Sequence, residues 1–402
     1  MSEPPWPSRT YYATLVVLFA CWLLLPLADR VVGIDRPLPL HENRTPAPLP
    51  QRPHSWDALK TFPKEFEAYW NDAFGFRSRL IFWQALASYH LGVSGTPGVT
   101  IGKKPWLFFD GDFASEQHTG RRLMSAAELD SWRTHLQARH DWLEHLGAHF
   151  LFVVAPDKQS VYSEELPNGY TNARTTPLDQ LVNELAAHST VDVLDLRGPL
   201  RAAKRDRRVF CSTDSHWNDY GGFVAYQALI ERLARWYPRL AALPLSAFYF
   251  QLTRPWSGDL AEFLSLGGVI SEKDRDLFPL APLAVRELPG DGANPPASRH
   301  FVRTKSLSAP STAPRVVVFH DSFFLTPEER RQGNPAQPWS HPPSAFRLVS
   351  LLGERFSEAA FTWQYEFDPD LVKREHPDLV IEEEAERMLI NGPVGPLPPS
   401  LR

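Results

Sequence analysis

Four short apolar runs constrain this chain most: HFLFVVA (149–155), VDVLDL (191–196), RVVVFH (315–320) and DLVIE (378–382). Runs of this length, rich in β-branched residues, read as strands. Helical patterns lie between them. Ser125-Ala-Ala-Glu128 has the form of a capping box. Leu129, Trp132, Leu136, Trp142 and Leu146 follow at roughly helical spacing, and Gly147 is placed to stop that helix. Thr176-Pro177 opens another helix with proline at its first position. Phe223, Tyr226, Leu229 and Leu233 mark one face of a helix over 219–236. Strands alternating with helices predict an α/β fold, a parallel sheet flanked by helices.

The ends of the chain read differently. Residues 11–28, YYATLVVLFACWLLLPLA, carry no charge, and at about 1.5 Å per residue they reach roughly 27 Å as a helix, enough to span a bilayer core. PLA before Asp29 is a poor small-x-small cleavage site, which favours an uncleaved signal anchor. Arginines on both sides of the run leave its orientation open. Residues 36–53 are rich in the chain's 38 prolines and read as an extended spacer. Helices are expected over 56–73 and 78–91, a hairpin over 99–109 and a long loop over 280–314. The expected division is an anchor at 1–30, a spacer at 31–55, one globular domain at 56–390 and a Pro-rich tail at 391–402. A net charge of −5 lacks the basic footprint of a nucleic-acid binder. Two cysteines, Cys21 and Cys211, build neither a disulfide framework nor a zinc cluster.

In an open α/β sheet, ligands gather at the carboxyl ends of the strands. Two polar clusters fall at such places: Thr213-Asp214-Ser215-His216-Trp217-Asn218, and His320-Asp321-Ser322 directly after VVVF. Together they hold a Ser, a His and an Asp. A serine hydroxyl is a poor nucleophile until an imidazole takes its proton, and the imidazole works best when a carboxylate fixes its tautomer. Other readings of the same residues stand beside this one. Asp-x-His also forms a capped turn, Ser after a strand also caps a helix, and Asp214, His216, His320 and Asp321 make an O/N metal-ligand set. Lys158 and Tyr162, after a strand end, are candidate sugar contacts. Trp217 either stacks on a pyranose or packs over His216, and Asn218 is a candidate oxyanion donor.

At these residues the chain resembles the AlgJ/AlgX-type polysaccharide O-acetyltransferases, with an SGNH-hydrolase-like domain. The resemblance runs in patches over about residues 65–390: NDAFGFRSRL, VTIGKKPWLFF, VVAPDKQSVYSEELP, TDSHWNDYGG, VVVFHDSFF and HPDLVIEEEAER. It implies Ser322 as the nucleophile that takes the acetyl group, His216 as general base and Asp214 as its orienting carboxylate, with no cofactor and no metal. It also implies a single-pass inner-membrane protein held through residues 11–28, with its soluble domain in the periplasm. An exopolysaccharide, alginate-like or other, would be the acceptor, and a membrane-bound O-acyltransferase would supply acetyl groups. Two rivals remain open: a carbohydrate acetylesterase with the same residues, and a non-catalytic glycan-binding or scaffold subunit of an export complex.

Overall fold

The computed structural model describes residues 9–35, 45–103, 105–170, 174–252, 254–288, 301–325, 348–393, 395 and 397–398. The chain forms two compact units, Met1–Thr96 with Glu262–Leu266, and Pro97–Ala261 with Gly267–Arg402. The spacer residues 36–44 and part of the tail lie outside the described residues.

In the first unit the apolar run sits within the helix Arg9–Val32. Its stretch Thr10–Val32 is long and apolar enough to cross a membrane. Asp29 at its foot is buried and accepts hydrogen bonds from the amides of Asp35 and Phe76. That ties the foot to the turn between the helices Trp56–Ala73 and Arg77–Leu91. Gly75 is required in that turn, because a Cβ there would meet the Pro26 carbonyl oxygen at 2.2 Å. Ser55 caps the helix Trp56–Ala73, accepting from the Ala58 amide at 3.1 Å. This helix buries none of its residues. The compact second unit starts at Pro97.

The second unit opens with the expected hairpin, β1 (Val99–Ile101) against β2 (Leu107–Phe109). Its remaining strands in chain order are β3 (His149–Ala155), β4 (Asp192–Asp195), β5 (Phe248–Leu252), β6 (Arg275–Pro279), β7 (Val285–Leu288), β8 (Phe301–Ser306), β9 (Arg315–His320), β10 (Glu358–Trp363) and β11 (Leu379–Ala385). Seven of them form one sheet in the order β4-β3-β11-β9-β10-β8-β7, and β5 pairs with β6 as a separate ribbon. The five strands from β4 to β10 are parallel, as expected; β8 and β7 extend the sheet antiparallel, so it is mixed. The loop expected over 280–314 therefore contains two strands, β8 and the edge strand β7. Pro, Ser and Gly around them mask their alternation in the sequence, and pairing of β8 to β10 and of β7 to β8 satisfies their backbone groups.

Alternating side chains of the central strands feed two core layers. Leu151, Val153, Val316, Val318, Leu379 and Ile381 face one layer, with Phe223, Tyr226, Leu229 and Leu233 of the helix Asp219–Leu233. Phe150, Phe152, Val317, Phe319 and Val380 face the other, with Trp132, Leu136 and Trp142 of the helix Ala126–His145 and Leu178, Leu181 and Leu185 of the helix Pro177–His188. The capping box is present: the Glu128 amide donates to Ser125 Oγ at 3.3 Å and the Ser125 amide to Glu128 Oε2 at 2.7 Å. Gly147 ends this stretch with φ 78°. Helices on both faces leave the carboxyl ends of the parallel strands as the place where polar groups collect.

Candidate active site

β9 ends at His320, and the chain turns at once through Asp321 into a 3-10 turn, Ser322–Phe324. Asp321 is buried and pins that turn. Its carboxylate accepts from the amides of Phe323 at 2.8 Å and Ala385 at 2.9 Å, while its own amide donates to Glu383 Oε2 at 3.0 Å. Ser322 is held at the junction of β9 and β11 and is partly exposed. Burial pushes the carboxyls of both Asp321 and Glu383 above the usual range; the Asp321 charge adds to the rise at Glu383, while Arg387 opposes the rise at Asp321.

The second polar cluster is a loop closed by pairing of Phe210 with Trp217. Its inside is organised by one buried carboxylate. Glu272 accepts from the Ser212 amide at 2.9 Å, the Thr213 amide at 2.8 Å and Thr213 Oγ at 2.6 Å. Gly258 lies so close that a Cβ there would meet the Asp214 nitrogen and Thr213 carbonyl carbon at 2.4 Å. These constraints aim Asp214 and His216 toward Ser322. His216 Nδ1 is 2.8 Å from Asp214 Oδ1, and His216 Nε2 is 2.8 Å from Ser322 Oγ. Asp214 also accepts from the His216 amide at 3.1 Å and, through its other oxygen, from the Asp259 amide at 3.2 Å. The Phe323 ring meets the imidazole edge to face at 4.9 Å. With the carboxylate at Nδ1, the imidazole carries its proton there and offers Nε2 to the serine hydroxyl. This arrangement can deprotonate Ser322 for attack on an acyl carbon.

Four other residues do not join it. Lys158 is buried beneath the loop, its ammonium donating to the carbonyls of Leu107 at 2.7 Å and Ser212 at 3.4 Å, so its expected sugar contact is corrected to a structural one. Burial lowers its pKa to about 8, against the pull of Glu272, Cys211, Asp214 and Asp259. Tyr162 is likewise interior, its hydroxyl accepting from the Val209 amide at 3.0 Å. Trp217 is buried against the Phe323 ring at 4.8 Å, which is packing rather than an open stacking face. Asn218 is no oxyanion donor: Oδ1 caps the helix Asp219–Leu233 through the Gly221 amide at 2.9 Å, and Nδ2 donates to Arg208 O and Asp274 Oδ2. The four-residue metal set is not assembled either. His320 Nδ1 lies 2.8 Å from the Asp321 carbonyl, and its ring stacks on Phe324 at 5.2 Å. Burial pushes the Cys211 thiol well up, so it stays protonated and inert.

The sequence reading missed Glu272, Gly258, Asp259 and Glu383. Their partners lie 44 to 62 residues away along the chain, and no local pattern announces them. Gly258→Ala should therefore lower activity about 10²-fold by displacing the Asp214–His216 loop, with a smaller change in unfolding midpoint. Ester hydrolysis and thermal unfolding of the same preparation would check it.

A second expectation concerns the acids behind the site. Burial pushes Glu386 up to about 7, with Asp157 adding to the rise and Arg197 opposing it. The unfolded value is 4.5, so its folded-state proton stabilises fully below about 4.5 and less as pH rises toward 7. Wild type should lose stability across that window, and Glu386→Gln should flatten the loss. Denaturant unfolding at both ends of the window tests this.

The family described as "SGNH hydrolase-like domain, acetyltransferase AlgX" matches residues 99–318, a stretch that includes Asp214 and His216 and ends just before Ser322. "Probable alginate O-acetylase AlgJ" of Pseudomonas syringae pv. tomato is 31% identical over 211 residues, 52% of this chain and 52% of that protein. The protein of the same description from Pseudomonas putida is 30% identical over 191 residues, 47% of each chain. The match thus spans about half the length of these curated relatives. The O-acetyltransferase domain of Pseudomonas putida AlgJ superposes with TM-score 0.47 at 20% identity, covering 73% of this chain and 93% of that one.

Proposed function

The chain belongs to the acetyltransferase AlgX family of SGNH hydrolase-like domains, and on that footing we propose that it transfers acetyl groups through Ser322 to hydroxyls of an exported polysaccharide. The observation that carries the reading is the pair of 2.8 Å contacts running Asp214–His216–Ser322 at the carboxyl end of β9. In the first half-reaction His216 Nε2 takes the Ser322 proton as Oγ attacks the acetyl carbonyl. The donor's leaving group departs with that proton and an acetyl-serine remains. In the second, Nε2 takes the proton of a sugar hydroxyl, which attacks the acetyl carbon and restores the Ser322 hydroxyl. Asp214 holds the Nδ1 proton throughout and stabilises the imidazolium formed in each step.

The relatives' description names alginate, which makes an alginate-like polymer the first acceptor to try. The helix Arg9–Val32 would hold the chain in the inner membrane, with residues 31–55 as spacer and the domain in the periplasm. A membrane-bound O-acyltransferase would then deliver acetyl groups from the cytoplasmic side. The test offers the full chain an acetyl ester with de-acetylated alginate oligosaccharides or with water alone. Acetylated oligosaccharide supports the transferase, and acetate release unaffected by acceptor makes it an esterase. No turnover with either would favour a scaffold. Because Ser322 and His216 supply the chemistry, a chelator should leave the rate unchanged; a loss restored by added divalent metal would contradict the serine route.

A further inference from the structure

We propose that Asp259, acting through the hydroxyl of Ser215, is a second carboxylate that positions His216 and strengthens it as a base; this rests on the Ser322–His216–Asp214 reading above. Asp259 grips Ser215 twice, accepting from its amide at 2.7 Å and from its Oγ at 2.5 Å. The Ser215 hydroxyl has one proton, and the short contact to Asp259 takes it. Its oxygen lone pair then faces His216 Nδ1 at 3.0 Å, and Asp259 Oδ2 itself lies 3.7 Å from that nitrogen. The Nδ1 proton is thus shared between Asp214 Oδ1 at 2.8 Å and Ser215 Oγ, and two carboxylates stabilise the imidazolium.

The same segment also braces Asp214. The Gly258 amide donates to Thr213 Oγ at 3.0 Å, and the Asp259 amide holds the Asp214 oxygen that His216 does not use. Asp259 is therefore a positioning residue that acts on the base and on its partner Asp214.

Other charges surround the imidazole. Asp214 shares its loop, Lys158 lies beneath on the Ser212 carbonyl, and Cys211, Glu272 and Arg208 stand behind. From the sheet side come Asp321, Glu383 and Arg387, the last over the Phe323 ring at 5.4 Å. All are common to wild type and variants, so a difference between the two isolates Asp259. A carboxylate within 4–6 Å favours the protonated imidazole by about 1–3 pKa units, and the partial exposure of Asp259 places its share near the lower figure.

The experiment is a histidine side-chain NMR titration of the full-length chain in detergent, with the His216 signals assigned by their loss in His216→Ala. Asp259→Asn should lower the His216 midpoint by about one unit, and Ser215→Ala by less, while Asp259→Glu, which keeps the charge, should hold near wild type. The acid limb of kcat/KM should move to lower pH by the same amount. An Asp259→Asn midpoint within about 0.2 of wild type would overturn the proposal. Should that variant unfold, Ser215→Ala decides: a lower midpoint supports it and an unchanged one sinks it. The titration needs no turnover, so a chain that titrates as stated but transfers no acetyl group would fault the proposed function and not this inference.

Discussion

Ser322→Ala lowers acetyl release from a chromogenic acetyl ester by about 10⁴–10⁶-fold and leaves the unfolding midpoint unchanged. The two halves of this expectation have separate causes. The hydroxyl is the only polar group on that side chain, and it is the group that His216 Nε2 meets at 2.8 Å. The turn that holds it relies on other atoms, the Asp321 carboxylate on the amides of Phe323 and Ala385, and Ser322 is partly exposed. Losing one hydroxyl there removes little packing. His216→Ala should cost a similar factor, and the double variant little more than either single one, because residues that act as a unit are strongly non-additive. Additive losses would mean that the two do not share one step.

Arg139→Ala destabilises the second unit by about 3–5 kcal/mol, the penalty for stranding a buried charge. Arg139 is fully buried, paired with Glu382 in the middle of β11, and its guanidinium lies 5.1 Å from the Phe367 ring centroid. Burial already pushes the Glu382 carboxyl up, and Arg139 is what pulls it back. Without the arginine the carboxyl takes up a proton more readily, so the loss should be smaller at acid than at neutral pH. Arg139→Met with Glu382→Leu should recover most of the stability, since an apolar pair of similar volume often equals a buried ion pair. Urea unfolding at the two pH values reads all three, with m-values checking that the transition stays two-state. A single variant as stable as wild type would show that the pair contributes nothing.

The central strands were legible because both of their faces are apolar, and that pattern survives in sequence. HFLFVVA and RVVVFH became β3 and β9. β10, EAAFTW, is short and rich in alanine, and β7 and β8 sit among turn-forming residues, so pairing rather than composition makes them strands. β11 extends past DLVIE into Glu383, Glu384 and Ala385, because Arg139 and the Asp321 turn accommodate carboxyls that would ordinarily end a buried strand. At the site, Asp214, His216 and Ser322 stood out because their residue types suit one chemistry. Position misled for Lys158 and Tyr162, which follow the end of β3, and for Trp217 and Asn218, which follow His216. The Lys158 ammonium is spent on a backbone carbonyl, the Tyr162 hydroxyl on an amide and the Asn218 amide on a helix end, while Trp217 packs on the Phe323 ring. Asp259 could not be read at all, since its grip on Ser215 spans 44 residues.

The central claim is a covalent acetyl-Ser322, and peptide mass mapping after rapid quench tests it most directly. The full-length chain would be mixed with an acetyl ester, quenched in acid within one turnover and digested. An acetyl group on the peptide holding Ser322, absent in Ser322→Ala and discharged when oligosaccharide acceptor is added before the quench, is the predicted result. Turnover at full rate with that peptide unmodified, or with the acetyl group on another residue and retained in Ser322→Ala, would contradict it.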